Sequence, residues 1–328
     1  MTEVAKRAGV SKTLVSAVLS GSPGNTRVAS QTRQRILGAA TELKYSPNGI
    51  AKALRHGRMN VIGLYMGEWI LNTHDLFLAE IVSGLQVGCG QQQKDLLLHG
   101  TFRGRSINDI YIELINGKID GLVMFTQQDD PLASLLAESS VPVVTIADAV
   151  DNLPSVVVDD SAGGRLQAEY LAAKGHRIVL YRRSVVFQTS TERRYQAFRE
   201  AATALGMTVI ETSRPLSSPG FYVTEEEREW LHKGSAHRPT AIVCCTDRFA
   251  HGFVNHCRSV GIRVPEDVAV VGFNGIVMEM VTLDLTTIRA PWAEVGRTAI
   301  ELVARRLSGE EVSKETILPV ELIEAQTA

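Results

Sequence analysis

Cysteine is scarce in this chain. It has four cysteines in 328 residues, Cys89, Cys244, Cys245 and Cys257, and no CxxC pair. That excludes a disulfide framework and reads as buried thiols in a reducing compartment, with the cytoplasm as the expected location. Long apolar runs are also missing. Nothing approaches the ~18 residues of a membrane-spanning helix, so an integral membrane protein is excluded and no membrane partner is expected. The first residues carry Glu3, Lys6 and Arg7 without an apolar stretch of signal-peptide type, so none is expected. No Walker A, GxGxxG, GxSxG or HExxH sequence occurs, and no metal-ligand spacing. No catalytic residue, cofactor or metal is therefore expected, and the chain does not read as an enzyme.

What is present is a charge asymmetry beneath a net charge of −2. Residues 1–58 hold ten Lys/Arg against two acids, Glu3 and Glu42, while the remaining 270 residues carry 24 Lys/Arg against 34 Asp/Glu. A small basic head on a large acidic body suits a polyanionic partner, although a solvated basic surface would look the same by charge alone.

The pattern of the head decides between the two. Val4, Ala5 and Ala8 fall at helical spacing and Gly9 ends that helix in a tight turn. Val10 is an apolar plug, and Ser11 can cap a second helix with Val15, Val18 and Leu19 on its inner face. Lys12, Thr13, Ser16 and Ala17 lie off that face. Residues 21–25, Gly-Ser-Pro-Gly-Asn, read as loop. Ser30 is placed to cap a third helix with Ile36, Ala40 and Leu43 inside. Two short helices around a glycine turn, then a third, form helix-turn-helix architecture. Pro47 can open a further helix of about two turns, too short to stand alone in water and weakened by Gly49; the alternative is a linker with slight helical tendency.

From Val61 onward the chain alternates apolar strand runs with helical patterns. The runs are 61–66, 96–98, 121–125, 141–146, 156–158, 178–180, 241–244 and 268–273. Alternation of this kind implies parallel sheets covered by helices on both faces. About ten strands over ~270 residues favour two lobes over one wide sheet. The fold class is thus α/β, with an all-α head.

Ala5…Ala8-Gly9-Val10-Ser11…Val15-Ser16…Val18-Leu19, Val28-x-Ser30-x-Thr32-Arg33 and Leu43-x-Tyr45-x-Pro47-Asn48-x-x-Ala51-x-x-Leu54 together resemble the helix-turn-helix and hinge of LacI/GalR-type transcriptional regulators. Val158-Asp159-Asp160, Leu171-x-x-x-Gly175-His176, Asp247-x-x-Ala250-x-Gly252, Val270-Val271-Gly272-Phe273 and Leu285-Thr286-Thr287-Ile288 extend the resemblance through a periplasmic-binding-protein-like core. The family's start is usually slightly longer than this one.

The resemblance implies a DNA-binding domain over 1–46, a hinge helix and linker over 47–59, and an effector-binding and dimerisation core over 60–328. The first lobe would take about 60–155 and 289–316, and the second about 156–288 and 317–328. It implies that Ser11, Lys12, Thr13 and Ser16 face the major groove, with Lys12 on guanine or on phosphate. Ala17 stands where the family often has Arg, which leaves the operator sequence open. Leu54 would wedge into a minor-groove step beside Asn48, Ala51 and Arg55 on the hinge helix. A homodimer on a pseudo-palindromic operator follows, and the short tail favours a dimer over a tetramer.

Ligand clefts of open α/β sheets lie at strand C-terminal ends. Asp148, Arg194, Asp247 and Asn274 are the candidate effector contacts, and Trp69 at a strand exit can stack on a ligand. Arg194 matches the family's effector arginine, while Asn274-Gly275 replaces a common Asp-Asp. That departure favours an anionic, carbohydrate-derived effector, a sugar phosphate or sugar acid, over a neutral sugar. Each candidate has a structural alternative: Asp247, for one, could simply cap its helix. Glu225–Glu227, His176 and Trp292 read as solvated surface, loop and packing. The expected function is an effector-controlled transcriptional regulator, most often a repressor. The alternative is a solute-binding protein with no DNA role.

Overall fold

The structure is a computed structural model that describes residues 1–20, 28–46, 57–67, 76–183, 188–212, 223–231, 238–276 and 283–328. The loop expected at 21–25, the hinge residues Asn48, Ala51, Leu54 and Arg55, and Trp69 lie outside the described residues.

In the head, α1 (Thr2–Ala8) stops at Gly9, whose φ of 62° and ψ of 41° are open to glycine at little cost. The chain turns into α2 (Lys12–Ser20), and Ser11 Oγ accepts the Leu14 N–H at 3.2 Å, capping the helix. α3 (Ser30–Glu42) completes a small core in which Val4, Ala8, Val15, Val18, Ile36 and Ala40 are buried. Two details depart from expectation. Ser30 is the first helical residue and Ala29 holds the cap position, with no side-chain cap. Leu43 is exposed because the helix ends one residue before it, and Ala39 fills the inner position instead.

The body then runs β1 (Val61–Tyr65), α4 (Leu76–Gln91), β2 (Asp95–Leu98), α5 (Ile107–Ile115), β3 (Gly121–Phe125), α6 (Pro131–Ala137), β4 (Val143–Ile146) and β5 (Ser155–Val158). Next come α7 (Asp160–Ala173), β6 (Ile178–Arg182), α8 (Thr189–Ala204), β7 (Thr208–Glu211), α9 (Glu225–Leu231), β8 (Ala241–Cys244) and α10 (Asp247–Ser259). The last are β9 (Ala269–Asn274), β10 (Thr286–Arg289), α11 (Trp292–Leu307), β11 (Glu315–Leu318) and β12 (Glu321–Ile323).

These strands form two six-stranded sheets of the same order, β2-β1-β3-β4-β5-β11 and β7-β6-β8-β9-β10-β12. Every pairing is parallel except β10 with β12. Alternate strand residues serve opposite faces. Ile62, Leu64 and Val123 pack under α4 and α11, while Tyr65, Leu122 and Met124 pack under α5 and α6. In the second lobe Val179, Tyr181 and Val243 face α7 and α8, and Leu180, Ile242 and Val270 face α10.

The chain passes between the sheets three times: from β5 to α7, from β10 to α11, and from β11 to β12. β5 lies wholly in the first sheet, paired to β4 and β11, so that sheet runs to Val158 rather than to about 155. β11 likewise keeps Ile317 and Leu318 in the first sheet.

Close helix contact fixes each lobe. A Cβ built on Gly84 of α4 would lie 1.8 Å from the Ala293 carbonyl oxygen of α11, and one on Gly164 of α7 would lie 2.3 Å from the Arg194 carbonyl oxygen of α8. Only glycine permits either approach.

Candidate functional site: a basic head and a cleft between lobes

On the head, Lys12 and Thr13 open α2 and are exposed, as are Lys6, Arg7, Arg33, Arg35 and Lys44. Ser11 is exposed, but its hydroxyl is engaged in capping. Ser16 is 9% exposed. The head thus covers a residue that the sequence placed among the base-facing ones, leaving Lys12 and Thr13 as the free side chains at the start of the helix.

In the body, the strand exits of the two sheets face each other, and four candidates lie there. Asp148 follows β4. One carboxylate oxygen accepts the Thr189 N–H of α8, in the other lobe, at 2.9 Å. The other accepts the Ala149 N–H at 3.2 Å and lies 3.9 Å from Arg193 Nη2. Burial pushes its pKa up, opposed by the Arg193 charge and the Thr189 N–H. Its neighbour Ala147 sits at φ 71°, a strained setting for a residue with a Cβ.

Arg194 of α8 is buried. Nε donates to Asp160 Oδ1 at 2.7 Å, Nη1 to the Cys245 carbonyl at 3.3 Å, and the guanidinium lies 3.7 Å from the Phe273 ring centroid. Arg193 Nη2 holds the second oxygen of Asp160 at 2.8 Å. Asp160 therefore carries both arginines, at the start of α7 where the chain enters the second lobe. The sequence reading gave it no role, although Asp159-Asp160 at a strand exit was the available signal. Asp159 caps α7, its Oδ1 accepting the Ala162 N–H at 2.7 Å.

Asp247 does not cap its helix. Its carboxylate accepts the Thr287 hydroxyl at 2.5 Å and the Ile276 N–H at 2.8 Å, tying β10 and the loop after β9 to the start of α10. Burial lifts its pKa to about 6 against the pull of those donors. Asn274 ends β9 at φ 128°, a second strained residue at a strand exit. Beside it Arg289 donates to the Gly275 carbonyl at 2.8 Å and approaches Glu80 of the first lobe at 3.8 Å.

Three aromatic rings pack together in the first lobe. The Phe77 ring meets Trp292 edge-on at 4.6 Å and Phe125 at 6.2 Å. Trp292 is packed within the core, as the sequence suggested. Glu227 corrects another expectation. It is buried rather than solvated, because Arg182 at the end of β6 donates to it from Nε at 2.8 Å and from Nη2 at 3.4 Å. Among the described residues no group of side chains is arranged to hold a metal ion.

The architecture has relatives. The description "Bacterial regulatory proteins, lacI family" matches residues 1–48, and "Periplasmic binding protein-like domain" matches residues 168–328. The HTH-type transcriptional repressor PurR of Pasteurella multocida (strain Pm70) is 30% identical over 324 residues, 96% of this chain and 94% of that protein. PurR of Salmonella typhi is 30% identical over 327 residues, 96% and 92%. Among solved structures, a transcriptional regulator CelR–cellobiose complex is 27% identical, covering 99% and 98%, with a TM-score of 0.70. A lac repressor dimer bound to operator and the anti-inducer ONPF superposes with a TM-score of 0.81 at 23% identity, covering 99% and 97%, a likeness of fold. Head, twin sheets and near full-length similarity to repressors lead to one conclusion: the chain belongs to the LacI family of DNA-binding transcriptional repressors.

Proposed function

We propose that this repressor works in the cytoplasm as a homodimer on a pseudo-palindromic operator, under the control of a small effector held between the lobes. The carrying observation is the polar contact across the cleft: Asp148 of the first lobe accepts the Thr189 N–H of the second, above the Asp160–Arg193–Arg194 cluster. A ligand hydroxyl or anionic group can replace either side of that contact, and so favour one lobe arrangement. Such a preference is what linkage to operator affinity requires.

The proposed effector is carbohydrate-derived: a sugar, sugar phosphate or sugar acid. Aromatic rings suit the apolar face of a sugar, and carboxylate and guanidinium groups suit its hydroxyls or an attached anion. The similar CelR regulator was solved as a complex with cellobiose. Arg194, Asn274, Asp148 and Asp247 are the proposed contacts, with Trp69 as a further stacking residue. On the DNA side, Lys12 and Thr13 read base edges, Ser11 and Ser16 set the helix in place, and the hinge contributes Asn48, Ala51, Leu54 and Arg55, with Leu54 as the wedge. The proposed domains are the DNA-binding domain over 1–46, the hinge over 47–59 and the effector-binding core over 60–328.

Calorimetric titration with neutral sugars, sugar phosphates and sugar acids tests the effector class. The expected result is binding by one class that changes operator affinity and weakens at least tenfold in Arg194→Lys. Binding of a planar heterocycle alone, or of none of the carbohydrates, overturns the carbohydrate reading and leaves the family assignment standing.

A further inference from the structure

Where the segment leading to the head joins the body, one buried carboxylate takes hold of the backbone. Asp120, just before β3, accepts the Met59 N–H at 2.6 Å and the Asn60 N–H at 2.7 Å. Lys94 Nζ lies 3.3 Å from the second of those oxygens, and both side chains are largely buried. The backbone closes the same knot. The Asp120 N–H donates to the Val61 carbonyl at 2.7 Å, and the Asp95 N–H to the Asn60 carbonyl at 2.9 Å.

The path of the chain explains why such a grip is needed. Gly57 sits at φ 67° and Asn60 at φ 59°, so the backbone turns twice within four residues. Gly57 takes its conformation freely, whereas Asn60 carries a Cβ there and must be held by its surroundings. Two charge-assisted bonds from consecutive N–H groups to one carboxylate supply that hold. Between the turns, Arg58 Nη2 donates to the Leu307 carbonyl at 3.3 Å, at the C-terminal end of α11, where a cation is favoured.

We propose that Asp120, assisted by Lys94 and Arg58, is the positioning residue by which the body aims the head. All of its attachments, to β2, β3 and α11, belong to the first lobe. Among the described residues no hydrogen bond or ion pair joins the second lobe to this junction. A shift of the first lobe is therefore carried into residues 57–60 through these bonds.

Two readouts on the full-length chain test this. The first is hydrogen exchange, read by mass spectrometry at the Met59 and Asn60 amides. The second is affinity for the duplex that the wild-type chain enriches from a random pool. In Asp120→Asn the two amides are expected to exchange at least tenfold faster. Operator affinity is expected to fall about tenfold or more, the scale of one charge-assisted hydrogen bond. Affinity for non-specific duplex, dimer content and the unfolding midpoint of the body should stay near wild type. Unchanged operator affinity with fast amides overturns the proposal, as does a loss that only tracks unfolding. If Asp120→Asn does not fold, Arg58→Ala and Lys94→Met decide it: the proposal stands if either lowers operator affinity with the body intact, and falls if neither does.

Discussion

At the residue scale, buried carboxylates define the cleft, and each makes a distinct prediction. Asp247 has a native pKa near 6 against an ordinary value of 3.8. Between those values the native state holds more protons than the unfolded chain, so stability falls as pH rises. The contribution is complete below about pH 4 and lost above about pH 6. Urea unfolding at pH 4 and pH 7 should show the wild type losing on the order of 3 kcal/mol more than Asp247→Asn across that interval. An equal pH slope in both proteins would remove the argument. Asp160 acts otherwise, since it neutralises Arg194, which is 4% exposed. Asp160→Ala leaves that guanidinium buried without its counter-charge, and should cost about 3–5 kcal/mol by denaturant unfolding.

At the element scale, α4 makes opposite predictions for two of its glycines. Gly84 faces the Ala293 carbonyl of α11, whereas a Cβ on Gly90 meets nothing within 4 Å. Gly84→Ala should destabilise by about 3 kcal/mol or more, since backbone cannot yield as a side chain does. Gly90→Ala should stabilise by roughly 0.5–1 kcal/mol through helix entropy. Thermal melts of the two variants should move in opposite directions. Elements also mark how far the sequence could be read. The head helices and most buried strands carry strong apolar periodicity and are visible directly, whereas β10, Thr-Thr-Ile-Arg, is buried without an apolar run. The edge strands β7, β11 and β12 contain only exposed and half-buried residues, with at most two apolar residues in succession, and were not visible as strands. In the site, Arg194 and Asp247 stood out by motif. The partnership of Asp160 with two arginines, and of Glu227 with Arg182, depends on residues dozens of positions apart, which no local pattern contains.

At the scale of the whole molecule, a basic head on an acidic body predicts a steep salt response. If a dimer neutralises about 6–10 phosphates, operator affinity should fall roughly 10³–10⁵-fold between 50 and 200 mM salt. A shallow response in a filter-binding series would mean that few of the exposed head cations reach phosphate. Asp148→Ala removes the acceptor for Thr189 across the cleft. It should alter the effector's influence on operator affinity while leaving intrinsic affinity for non-specific duplex unchanged, because the head is untouched. Operator binding measured with and without effector, beside binding to a non-specific duplex, separates the two.

The three passages between the lobes have a consequence for the order in which the molecule is made. The head is one continuous segment, complete once α3 has been synthesised. Neither lobe is. The first lobe needs β11 and the second needs β12, and only two residues separate those strands. A chain growing from the ribosome therefore carries a finished head long before it has either finished lobe, and both lobes close at almost the same moment. Pairings between such distant segments form slowly and leave open sheet edges in the meantime. The nascent chain thus passes through a stage in which it already has its DNA-contacting part and has nothing yet to regulate it.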